Sequence, residues 1–226
     1  MVCQTGYHRP VAHAPVQQPL GLRERKKAQT RRLLIDTAVE LCLEQGYENT
    51  TVDQITHAVE VSPRTFSRYF TSKEGVFVAI VDDLSDEITA ELLRQPSDLG
   101  PMESLRAAHV SVLTRVAERR PIAGLTAERI AMMLHVVSSC HTLRQAAMEY
   151  RSPAAMAVLA ERMGVTPDDK RLELAVAMFA TAIVTACVDV AAADPDVAFG
   201  PDFVRDRLEK AMADLASFVG ELQTTS

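Results

Sequence analysis

The chain has 226 residues, 47% of them hydrophobic, which is enough for one large core or two modest ones. A net charge of −6 excludes a protein coated all over with nucleic acid, but it leaves room for a local basic patch. Trp is absent, the nine glycines are scattered and Ala, Leu, Glu and Arg are abundant, so the composition points to an all-α chain.

Residues 1–21 hold Pro10, Pro15 and Pro19 with few large apolar groups, and read as a flexible tail. An arm that touches a DNA minor groove is the functional alternative, for which Arg9 is the tail's cation. A run of cations follows (Arg23, Arg25, Lys26, Lys27, Arg31 and Arg32, against Glu24), so the acidic excess sits further along. This run begins a first helix. Its charges read either as a solvated helix end or as phosphate contacts, Arg31 among them. Leu34, Ala38, Leu41 and Cys42 form an inward stripe, Gly46 ends the helix and Tyr47 packs just beyond it.

Residues 50–73, TTVDQITHAVEVSPRTFSRYFTSK, read as two short helices joined by a tight turn. Thr51 caps the first, with Gln54 bonding back, and Val52, Ile55 and Val59 give it an apolar face. Ser62 caps the second, where Pro63 occupies the first position and loses no needed N–H. Phe66 and Phe70 face inward, four residues apart. Pro63, Arg64, Ser67 and Arg68 are left outward, with Thr65 and Tyr69 beside them. A short helix presenting arginines and hydroxyls suits the DNA major groove. Ser72 then caps a long helix with Lys73 in its first turn, a place where a helix N-terminus and an ammonium suit a phosphate.

Residues 31–77 resemble the DNA-binding domain of the TetR family of transcriptional repressors. The resemblance rests on the first helix LLIDTAVELCLEQGY, the helix-turn-helix pair and SKEGVF opening a fourth helix. Four positions depart from the family pattern: Glu60 for glycine in the turn, Thr56 for alanine, Ser67 for tyrosine and Cys42 for phenylalanine. Left-handed backbone at position 60 would cost Glu about 1 kcal/mol more than Gly. The family implies an all-α protein of about nine helices. It has an N-terminal three-helix helix-turn-helix DNA-binding domain and a C-terminal helical domain for ligand binding and dimerisation. The expected division is tail 1–21, DNA-binding domain 22–72 and ligand-binding and dimerisation domain 73–226.

The fourth helix runs to about Gln95, and Val76, Phe77, Ile80, Val81, Leu84, Ile88 and Leu92 give it one apolar face. Further helices are expected at 102–119, 126–139, 142–163, 167–192 and 202–220. Thr126 is a cap, Thr166-Pro167-Asp168-Asp169 start another helix, and Pro153 invites a kink or split inside 142–163. Asp194-Pro195 and Phe199-Gly200-Pro201 mark the last loop. Residues 174–188 are apolar on all sides, and Phe203, Leu208, Met212, Leu215, Phe218 and Val219 stripe the final helix. A helix apolar all round needs cover all round, which a symmetric four-helix contact in a homodimer supplies.

The family resemblance implies a small-molecule site among the middle helices. Its candidates are His109, Met132, His135, Met148 and Met178, each of which is equally at home in an ordinary core or on a surface. Arg129, His141 and Arg144 are further polar groups of this region.

The four cysteines, Cys3, Cys42, Cys140 and Cys187, lack metal or redox-motif spacing, and no segment reads as a signal peptide, so the expected location is cytoplasmic. Cys140-His141 with His135 is the one cluster that suggests a redox- or metal-responsive switch. A helical-bundle enzyme is the rival from another class. No Glu is followed by His three residues on, and nucleophile-elbow and phosphate-loop motifs are absent. No cofactor, metal or catalytic residue is therefore expected. The expected function is a homodimeric transcriptional repressor on a palindromic double-stranded DNA operator, released by a small lipophilic effector, with an activator of the same fold as alternative. Arg64, Arg68, Pro63 and Ser67 face bases. Thr51, Thr65, Tyr69, Lys73 and Arg31 hold phosphates.

Overall fold

The computed structural model describes residues 21–120, 122, 124–188 and 199–223. The tail over 1–20 and the Asp194-Pro195 turn lie outside the described residues. Within them the chain forms ten helices and no strand: α1 Leu22–Gln45, α2 Val52–Ala58, α3 Pro63–Phe66, α4 Lys73–Leu92, α5 Pro101–Ala117, α6 Ala127–Ser139, α7 His141–Glu149, α8 Pro153–Met163, α9 Lys170–Val188 and α10 Pro201–Gln223.

The tenth helix arises where one of nine was expected to kink. Residues 142–163 split because Pro153 has no N–H to continue a helix, and Ser152 instead caps a new one by accepting from the N–H of Ala155. The start of α9 also differs. Thr166 to Asp169 form a turn, with the N–H of Asp169 donating to the Thr166 carbonyl, and the helix begins only at Lys170. Asp169 is the cap, because its carboxylate accepts from the N–H of Arg171 at 2.8 Å.

Two apolar cores result. The first joins Leu34, Ile35 and Cys42 of α1, Ile55 of α2, Phe66 of α3, Phe70 and the α4 residues Val76, Phe77 and Ile80. Met132 and Val136 of α6 and Leu143 of α7 complete it, so the N-terminal head of α1 to α3 shares its core with the middle helices. The second core joins Ile88 and Leu92 of α4 with α5, α6, α8, α9 and α10. Helix α4 thus belongs to both cores, and α6 does too.

Helix α9 packs against α10, α7, α5, α6 and α8, yet only Leu172, Phe179 and Cys187 are fully buried on it. Leu174 on α9 and Phe218 on α10 stay 60% and 62% exposed, with Val219 at 41%. At 19 residues, α9 is the one helix among those described that is long and apolar enough to cross a membrane.

Candidate nucleic-acid interface and distal cavity

Helices α2 and α3 owe their placement to local chemistry. The Thr51 hydroxyl accepts from the N–H of Gln54 at 3.2 Å, and the Gln54 side chain accepts from the N–H of Thr51 at 2.8 Å. This reciprocal capping box satisfies two donors of the helix start. The turn after α2 is closed by Val61, whose N–H donates to the Thr56 carbonyl at 3.0 Å, and it passes through Glu60 at φ 55. The left-handed turn is thus made by a residue with a Cβ. At α3 the Ser62 hydroxyl accepts from the N–H of Thr65, and Pro63 holds the first position. Regular α-helix ends at Phe66, but backbone bonds Ser67 to Pro63, Arg68 to Thr65 and Tyr69 to Phe66 carry the turn on to Phe70.

Phe66 and Phe70 anchor this segment in the core, their rings 5.5 Å apart. The opposite side is exposed at Pro63, Arg64, Ser67 and Arg68. Neither arginine has an acidic partner among the described residues, and Arg68 lies 6.0 Å from the Tyr69 ring. The Ser67 hydroxyl donates to the Pro63 carbonyl at 3.0 Å, so its own donor is already used. Thr65 is half-buried beside Ser62, their hydroxyls 3.0 Å apart, Tyr69 is half-buried and Thr51 is exposed.

The two remaining cations are held differently. The Lys73 ammonium donates to the Tyr47 carbonyl at 2.6 Å and lies 3.9 Å from the centre of that ring. Tyr47 in turn donates its hydroxyl to Glu74 at 3.0 Å. Arg31 faces Asp83 at 3.8 Å and the Phe70 ring at 5.8 Å. Both are thus turned back onto the protein, a pairing across the fold that no linear pattern announces.

A cavity of about 220 Å³ lies within the second core, with Phe77 and Val137 of the first core also at its wall. Phe77, Leu84, His109, Met133, Tyr150 and Phe179 are among its lining residues. Of the five residues expected to bind a ligand, the structure brings only His109 to this wall. Met132 is buried in the head core instead, and His135 lies against Gly46, where a Cβ would come 3.8 Å from its ring nitrogen. Met148 and Met178 are half-buried away from the lining. Met133 and Met156 take the places assigned to them; methionine at helical spacing does not reveal which turn faces a void. Arg144 caps α6 by donating to the carbonyls of Val137 and Ser138, and His141 is exposed. No group of three or more metal-ligating side chains occurs among the described residues.

Comparison with known proteins bears on the head first. Residues 34–80 match the sequence model of bacterial regulatory proteins of the tetR family. The HTH-type transcriptional regulator TcmR of Streptomyces glaucescens is 46% identical over 98 residues, 43% of each chain. Over this N-terminal stretch the chain is similar to TetR-family regulators. YvkB of Bacillus subtilis (strain 168), an HTH-type transcriptional regulator, is 25% identical over 125 residues, 54% of this chain and 65% of that protein. The match therefore spans less than half of TcmR and under two thirds of YvkB. Among solved structures, Thermus thermophilus FadR in complex with lauroyl-CoA aligns over 81% of this chain and 91% of that one, at 22% identity and a TM-score of 0.46.

Proposed function

We propose that this protein is a regulator of the TetR family, a cytoplasmic homodimeric repressor that binds a palindromic operator and leaves it when a small, mainly apolar molecule enters the distal cavity. The observation that carries the DNA reading is the pair Arg64 and Arg68, exposed and without an acidic partner among the described residues, on the outer side of a capped, core-anchored helix. An arginine there makes two hydrogen bonds to guanine. Pro63 and Ser67 lie beside them, and Thr51, Thr65 and Tyr69 take the flanking phosphates in this reading. Arg31 reaches a phosphate by letting go of Asp83, whereas Lys73 stays on the Tyr47 carbonyl.

The uncovered apolar surface of α9 and α10, at Leu174, Phe218 and Val219, supports dimerisation. A twofold partner would cover it, and would set two recognition helices about one helical turn of DNA apart. The cavity supports effector control, because its wall includes Phe77, Val81, Leu84 and Ile88 of α4 and the same helix builds the head core. A ligand that fits better when α4 is displaced favours heads wrongly spaced for the operator.

The test is selection of bound fragments from genomic DNA by the purified full chain, followed by footprinting. Recovery of a palindrome protected on both half-sites supports the reading. Binding without sequence preference, or protection of one half-site by a monomer, overturns it.

A further inference from the structure

His109 defines the chemistry that the cavity accepts. The ring nitrogen Nδ1 lies 2.8 Å from the Leu105 carbonyl oxygen. A carbonyl only accepts, so Nδ1 carries the proton. In the neutral ring Nε2 is then a bare acceptor. The ring packs at 4.7 Å against Phe179, which also lines the cavity and fixes the ring plane. Burial opposes protonation and pushes the His109 pKa down to about 4, against the weaker pull of the Leu105 carbonyl.

The other polar groups of the wall are already committed, Arg151 in part. The Tyr150 hydroxyl donates to Asp82 at 2.6 Å, and the Ser85 hydroxyl bonds to Tyr150. The Ser152 hydroxyl caps α8. Arg151 donates through one nitrogen to the carbonyls of Met148 and Tyr150, each at 2.8 Å. Among the described residues His109 has no hydrogen-bond partner besides Leu105.

We propose that the cavity takes an uncharged, mainly apolar molecule bearing a hydroxyl group, phenol or alcohol, whose proton is given to Nε2 of His109. A carboxylate offers only acceptors, and would set lone pair against lone pair in an apolar site. An ether of the same shape leaves Nε2 unpaired when water is displaced. This rests on the reading of the cavity as the effector site and adds the effector's chemical class.

The test uses three probes of one shape: 2-naphthol, 2-methoxynaphthalene and 2-naphthoate, titrated at neutral pH into the full-length protein. The chain has no tryptophan, so naphthalene emission is read free of tryptophan emission. Naphthol is expected to bind roughly tenfold more tightly than the ether, with naphthoate weakest. His109→Leu is expected to remove the difference between naphthol and ether, and His109→Gln, which keeps an acceptor, to restore part of it; melting curves verify that both fold. Equal wild-type affinities for naphthol and ether overturn the hydroxyl assignment and leave the cavity reading intact. Tightest binding of naphthoate overturns it in favour of an anion on Arg151. No binding of any probe overturns the effector-site reading together with this inference.

Discussion

Arg129 of α6 holds Asp36 of α1 at 2.8 Å, joining residues 93 apart in the chain. The arginine side chain is only 3% exposed. It also faces Asp83 of α4 at 3.4 Å and donates to the Gly124 carbonyl. One guanidinium therefore ties the head helix, the shared rod and the start of a cavity-lining helix. Its planar fork satisfies several acceptors at once, which a lysine does not do. Asp83 is half-buried and burial raises its pKa, with Arg31 and then Arg129 pulling the other way. Gly124 completes the knot: it sits at φ +81, where an added Cβ would come 2.7 Å from an Asp83 oxygen.

Removing one partner of a buried ion pair costs about 3–5 kcal/mol when the other charge is left stranded. Here Asp36 keeps solvent, and Arg31 remains beside Asp83, so the cost falls to the bottom of that scale or just below it. Arg129→Met is expected to destabilise the chain by about 2–3 kcal/mol, measured as a fall in urea midpoint at constant slope. A change under about 0.5 kcal/mol would place this residue with ordinary surface ion pairs.

The turn between α2 and α3 stores strain that a single substitution releases. Glu60 holds φ 55 and is exposed, so nothing in the core depends on its side chain. Left-handed backbone costs a residue with a Cβ about 1–2 kcal/mol, while glycine's greater freedom in the unfolded chain returns about 0.5–1 kcal/mol of that. Glu60→Gly should therefore stabilise the protein by about 0.5–1 kcal/mol. Thermal and urea midpoints check this, and a loss of stability would mean that Glu60 makes a contact worth more than its backbone strain.

For the recognition segment, Arg68→Ala is expected to cost about 1–3 kcal/mol on the selected operator and much less on random DNA. Electrophoretic mobility or anisotropy titrations at fixed salt measure both. An equal loss on the two DNAs would move Arg68 from base reading to phosphate holding.

Lys73 should behave differently. Its ammonium already donates to the Tyr47 carbonyl and lies over that ring. Lys73→Met is expected to lower folding stability by about 1 kcal/mol, through the lost charge-assisted bond and cation–π contact. The dependence of DNA affinity on salt should keep its slope. A slope smaller by about one would show a phosphate contact made in the complex.

What the sequence made legible was the chemistry that closes within three or four residues. The Thr51–Gln54 box, Ser62 ahead of Pro63, Ser72 and Thr126 as caps and the break at Pro153 all depend on neighbours, and each is found. The outward set Pro63, Arg64, Ser67 and Arg68 follows from the same spacing, because Phe66 and Phe70 fix which side is in. Long-range pairing left no such trace. Arg129 finds Asp36, and Lys73 finds Tyr47, only after four helices have packed. The cavity was equally hidden: Met132 and Met133 are adjacent, yet one fills the head core and the other lines the void.

His109 makes stability depend on pH in a defined direction. Its ordinary pKa of 6.5 falls to about 4 in the fold because burial penalises the charged ring. Between these values the unfolded chain binds a proton that the folded chain refuses, so stability rises with pH across that window. The contribution is complete above pH 6.5 and is lost progressively as the pH falls toward 4. Taking the protein from about pH 7.5 to about pH 5 should cost about 2 kcal/mol through this group alone. The comparison that isolates the ring is wild type against His109→Gln, each unfolded in urea at both pH values. The variant should lose about 2 kcal/mol less than the wild type over that interval. Equal losses would mean that the ring is already open to water in the folded state, and would remove the reason for Nε2 to be a bare acceptor.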